Sequence, residues 1–210
     1  MNDVLEFHGR HRLVPVVVVD RADRAWPLAE TLSDAGLPSA EVTLRTPAAL
    51  SVISAMTACP GFVVGAGTVV RPAQVEQAVA AGARYVVSPG FSAAVDRECR
   101  QLGVLLVPGV ATATELQAAL EAGRDVVKFF PAAAAGGAAM VAALSAPFPS
   151  ARFVPTGGIG AAELGDYLRL TSVLAVGGTW LAPRDAVDSG DFERIARDVR
   201  EATTLVEHLR

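Results

Sequence analysis

Thr114 to Pro131, TELQAALEAGRDVVKFFP, holds the unit on which the fold turns. Thr114 to Ala122 has helical period and room for about three turns. Gly123 follows where a helix needs a left-handed cap. Val126 to Pro131, VVKFFP, is then a short β-branched and aromatic run of the kind that forms a buried strand.

The same order recurs in both directions. Apolar runs stand at 13–19 (LVPVVVV), 40–44 (AEVTL), 62–67 (FVVGAG), 85–90 (YVVSPG), 104–109 (VLLVPG), 126–131, 152–158 (RFVPTGG) and 173–178 (VLAVGG). Between them lie helical stretches such as Arg24 to Ala35, Pro72 to Ala81 and Ala93 to Leu102, and Gly36, Gly82 and Gly103 repeat the stop seen at Gly123. Near-continuous apolar strands separated by helices predict a parallel sheet covered on both faces, and eight such units are the number that closes a (β/α)8 TIM barrel. The alternative is an open doubly wound sheet. No G-x-G-x-x-G follows the first strand, and this favours the barrel. Residues 1–210 then form a single α/β domain with short loops, an extra helical segment before Leu13 near the barrel's bottom, and a long final helix from Asp191 to Leu209.

Composition agrees with a folded chain. With 51% hydrophobic and 19% charged residues, its 210 residues can bury a large core. The longest unbroken apolar stretch, Leu13 to Val19, is too short to cross a bilayer, and the opening MNDVLEFHGR carries charges where a signal peptide wants an apolar segment. The expectation is a soluble, cytoplasmic protein. Cys59 and Cys99 lack metal-site spacing and read as two reduced thiols. A net charge of −4 argues against nucleic acid or an anionic membrane as partner, while an anionic metabolite is allowed if its charge is met locally.

In a barrel the site lies at the carboxyl ends of the strands. The histidines, His8, His11 and His208, all sit near the termini, so the body of the chain offers no His-based metal site and no Ser-His-Asp triad. Neither metal nor organic cofactor is expected. In the second strand Glu41, Thr43 and Arg45 alternate with Val42 and Leu44, which turns a carboxylate, a hydroxyl and a guanidinium inward. Of the 18 basic residues, Lys128 is the only lysine. It shares a strand face with Val126 and Phe130, so apolar surface surrounds its amine and burial disfavours the charged form. A neutral amine attacks carbonyl carbon to give a Schiff base, which arginine cannot do. After the last two strands come PTGGI and VGGTW, and barrels often bind phosphate with backbone N–H groups from these loops. Gly157, Gly158, Gly177, Gly178 and the Thr179 hydroxyl fit that role.

EVTLRT, VGAGT, SPG, KFFPA, PTGGI and VGGTW, in this order, resemble the 2-keto-3-deoxy-6-phosphogluconate (KDPG) and 4-hydroxy-2-oxoglutarate (KHG) aldolases of the Entner–Doudoroff pathway. The resemblance implies a metal-free class I aldolase, a homotrimer of barrels acting on a small 2-keto acid or its phosphosugar. It assigns the Schiff-base amine to Lys128, proton transfer to Glu41, the substrate carboxylate to Arg45 and Thr68, and the pocket wall to Pro89, Phe130 and Thr156. Two departures stand out. Ala133 follows KFFPA where many relatives carry Glu, and Thr179 stands where many carry Ser. EVTLRT favours the gluconate-type over the galactonate-type aldolases. A phosphosugar isomerase or epimerase barrel is the competing class, sharing the phosphate loops without covalent attachment.

Overall fold

The repeating unit read from the sequence runs through the described residues, 3–209, of the computed structural model. The strands are β1 (Leu13–Val17), β2 (Ser39–Thr43), β3 (Val63–Gly67), β4 (Tyr85–Val87), β5 (Leu105–Val107), β6 (Gly109–Val110), β7 (Val126–Phe129), β8 (Arg152–Pro155) and β9 (Val176–Gly178). The helices are α1 (Asp3–His11), α2 (Ala25–Asp34), α3 (Ala49–Thr57), α4 (Pro72–Ala80), α5 (Ala93–Gln101), α6 (Ala113–Glu121), α7 (Gly137–Ser145), α8 (Leu164–Leu168), α9 (Arg184–Ser189) and α10 (Phe192–His208), with a 3-10 turn at Ala22–Arg24.

The fold is α/β with parallel pairing throughout. Six strands form one curled sheet in the order β5-β4-β3-β2-β1-β9, and three form a second, β6-β7-β8. The sheets are continuous in the chain through Pro108, and they touch again through two isolated parallel bridges, Phe153 with Val173 and Thr156 with Gly177. One expected strand is therefore two. Pro108 has no N–H to give to a ladder, and its carbonyl accepts from Lys128 N at 2.8 Å. The runs expected at 85–90 and 173–178 also pair over less of their length, at Tyr85–Val87 and Val176–Gly178.

The helices start and stop as local chemistry dictates. Thr112 caps α6 by accepting from Glu115 N, while Glu115 accepts from Thr112 N at 3.0 Å, a reciprocal box. Gly36, Gly82, Gly103 and Gly123 all have positive φ, between 65° and 99°. Side-chain alternation then divides the interior. Val127 and Phe129 of β7, with Ala40 and Val42 of β2, face the helices in the main core. A second, smaller apolar cluster gathers Val4 of α1 with Val63, Tyr85, Val87 and Val107 on the opposite face of the strands. Burying a phenylalanine such as Phe129 or Phe153 completely contributes about 1.5–3 kcal/mol. Among the described residues no helix is long and apolar enough to cross a membrane.

Candidate active site

β2 and β7 bring together the two groups that the sequence turned inward. Lys128 Nζ donates to Glu41 Oε1 at 2.9 Å, with Lys128 7% and Glu41 3% exposed. The register explains the meeting. Glu41 lies opposite Gly65 on β3, and Lys128 lies between Gly109 and Val154 on its own neighbours. A β-carbon on Gly67 would overlap the Glu41 carboxylate, so β3 is cut away where that side chain crosses it. Taking an ion pair this far out of water is costly, and an apolar pair would stabilise a core better. Its retention points to chemistry.

Above the pair opens a cavity of about 470 Å³. Lys128 reaches its floor, and Phe130 stands beside the amine with its ring centroid 5.5 Å from Nζ. Arg45 and Thr68 line one side; Pro89, Thr156, Gly157, Gly158, Gly178 and Thr179 complete the expected wall. Arg45 is exposed, in the turn that follows β2, so its charge faces the opening rather than the core. Thr43 also lines the cavity, but its hydroxyl donates to Val17 O at 3.0 Å. Thr68 has φ 60°, a left-handed conformation that costs a β-branched residue roughly 1–3 kcal/mol. Such strain concentrates where a side chain is being aimed.

The loop after β8 is held from beneath. Ala132 N donates to Thr156 O at 2.9 Å and Ala133 N to Gly157 O at 3.0 Å. Gly157 and Gly158 both have positive φ. Ala133 sits against this turn: a β-carbon on Gly158 would meet the Ala133 methyl at 2.7 Å. Two of the expected residues stand off the cavity wall. Glu41 lies behind Lys128, and Gly177 lies beneath Thr156, whose hydroxyl would collide with any side chain there. Sequence reasoning missed Val16 and Ile159, which also line the cavity.

An amine and a carboxylate within one hydrogen bond, below a cavity rimmed by a guanidinium, are the parts of an enzyme that makes or breaks a bond beside a carbonyl, a lyase. The chain belongs to the KDPG and KHG aldolase family, whose sequence pattern matches residues 5–198. It is 45% identical to the 2-dehydro-3-deoxy-phosphogluconate aldolase of Treponema pallidum (strain Nichols), over 98% of this chain and 99% of that one. It is 42% identical to the KHG/KDPG aldolase of Escherichia coli (strain K12), over 90% of each. Among solved structures, the KDPG aldolase of Legionella pneumophila, with pyruvate captured as a covalent carbinolamine, superposes with a TM-score of 0.91 at 38% identity, covering 96% of this chain and 98% of that one.

Proposed function

We propose that this chain is a class I aldolase that cleaves 2-dehydro-3-deoxy-6-phosphogluconate to pyruvate and glyceraldehyde 3-phosphate through a Schiff base on Lys128, and that 4-hydroxy-2-oxoglutarate is a second substrate, giving pyruvate and glyoxylate. The observation that carries the reading is the buried Lys128–Glu41 pair, whose lysine lines the cavity with the carboxylate behind it. Arg45 and Thr68 hold the substrate carboxylate, which sets the adjacent ketone over Nζ. Glu41 receives a proton from Lys128, and the freed amine adds to C2 to form a carbinolamine. Loss of water, with a proton supplied by Glu41, gives the iminium.

Glu41 then accepts the C4 hydroxyl proton through a water as the C3–C4 bond breaks. The bonding pair moves into the iminium, forming an enamine, and the aldehyde leaves. Return of the proton to C3 and addition of water to the iminium release pyruvate and regenerate the amine. Gly157, Gly158, Gly178 and Thr179 bind the distal phosphate with backbone N–H groups and a hydroxyl.

The same reading takes the two sheets as one closed (β/α)8 barrel, since β5 and β6 are a single strand interrupted at Pro108 and the bridges from β8 to Val173 and Gly177 supply the other seam. It is a single domain, working in the cytoplasm as a homotrimer, and sedimentation of the purified chain tests the trimer. Incubation with pyruvate and borohydride tests the chemistry. One reduced pyruvyl adduct per chain, on Lys128, is expected; a chain that takes up none, as an isomerase or epimerase would, overturns the reading.

A further inference from the structure

The two loops that hold the distal phosphate in this reading are fixed by different means. The loop after β8 is laced by hydrogen bonds: Ala132 N donates to Thr156 O, Ala133 N to Gly157 O, and Gly160 N to Glu163 Oε2 at 2.9 Å. The segment after β9 has no such lacing. Its ladder with β1 ends where Gly178 pairs with Pro15, and α9 begins only at Arg184. Among the described residues, the N–H groups of Thr179, Trp180 and Leu181 give no hydrogen bond to the protein.

Side-chain packing takes over there. Gly178 shares its strand face with Val176, a member of the main core, so the side chain it lacks would point toward the helices. That place is filled by the six-membered ring of Trp180, since a β-carbon on Gly178 would overlap its carbons Cε3, Cζ3 and Cη2. The indole is half-buried and packs on the main core, and Leu181 and Ala182, which follow it, are buried. Its Nε1 is buried without a partner, so shape rather than a hydrogen bond seats the ring. Thr179, in between, stays exposed and lines the cavity. Gly178 thus edges the cavity on one side and rests on an indole on the other, while Trp180 itself does not line the cavity.

We propose that Trp180 is a positioning residue for the distal phosphate: its ring, pressed against the back of Gly178, sets where Gly178 and Thr179 meet the phosphoryl group and so sets the preference for a phosphorylated over an unphosphorylated substrate. The inference rests on the phosphate role of Gly178 and Thr179. β9 is flanked by β1 and β8, so neither the strand of Lys128 nor that of Glu41 borders it. The chemistry at the carbonyl is therefore left alone when the ring is lost.

Trp180→Leu removes the indole and keeps an apolar group in the core. We expect KM for 2-dehydro-3-deoxy-6-phosphogluconate to rise about tenfold, and KM for 4-hydroxy-2-oxoglutarate, which carries no phosphate, to stay within about twofold. On both substrates kcat should hold within about threefold. A purely structural role would lower Tm and leave the ratio of the two KM values where it was.

Fluorescence decides the matter even if that variant does not fold. The chain has two tryptophans, and Trp26 is exposed on α2, so in Trp26→Phe the emission is that of Trp180. Inorganic phosphate should shift this emission saturably, and sodium chloride of equal ionic strength should not. An unchanged KM ratio in Trp180→Leu overturns the proposal, and so does an emission that phosphate leaves unmoved. Should the unmodified enzyme fail to cleave the phosphorylated substrate, the aldolase reading falls, and the phosphate titration still decides the part of Trp180.

Discussion

At the carboxyl ends of the strands the polar groups are charged and paired or open: Lys128 holds Glu41 at 2.9 Å, and Arg45 stands exposed at the cavity rim. At the amino ends, behind α1, His8 and Tyr85 are buried as deeply yet carry no charge, because burial pushes each toward its neutral form. Depth alone therefore does not make a reactive group. What separates the two pairs is a partner of opposite charge beside a cavity: Lys128 lines one and holds Glu41, whereas His8 and Tyr85 meet each other only edge to face.

Lys128→Arg breaks the comparison most sharply. It keeps the positive charge beside Glu41 and removes the nucleophile, so turnover is expected to fall by at least about a thousandfold, with the pyruvyl adduct lost and the far-ultraviolet circular dichroism unchanged. Residual activity of a few per cent would show that the amine is dispensable. Glu41→Gln keeps the shape of its side chain and removes proton transfer. A loss of about 10²–10³ in kcat, with adduct formation slowed but not abolished, is the expected outcome in single-turnover measurements.

Acid titration of stability probes the other end. The unfolded chain protonates His8 below about pH 6.5, while the fold admits that proton only near pH 4. Between these values the unfolded state binds more protons, so stability is complete above the window and falls as pH drops through it, by about 3 kcal/mol in all. Denaturant melts from pH 7 to 4 should show this slope, and His8→Leu should flatten it. Arg45→Ala gives the smallest effect: KM rises about tenfold to fiftyfold while kcat and Tm hold. An unchanged KM would move the carboxylate site elsewhere in the cavity.

Much of the carboxyl end was legible in the sequence because strand alternation has a fixed period. Once VVKFFP is a strand, Lys128 and Phe130 share a face, and the same rule turns Glu41 and Thr43 inward. The glycine stops were legible for an equally local reason, since each closes its own helix. The amino end was not. YVV reads as an apolar strand, with nothing to mark the hydroxyl as interior. His8 was placed by its sequence position, near a terminus, although α1 folds back and buries it. Val4 and His8, four residues apart and both buried on α1, were the signal that could have found it. The break at Pro108 and the hydrogen bonds that hold Gly157 depend on neighbouring strands and lie outside any local pattern.

The glycines of β3 have a consequence for how this enzyme can diverge. Positions 65 and 67 face space already filled by Tyr85 and Glu41, so even alanine would displace one of them. Lineages can vary the outward residues of that strand, while its inward side is closed to innovation as long as the carboxylate stays where it is. Redesign of the specificity of this scaffold has to begin at the rim, where side chains end in solvent, and leave the interior of β3 bare.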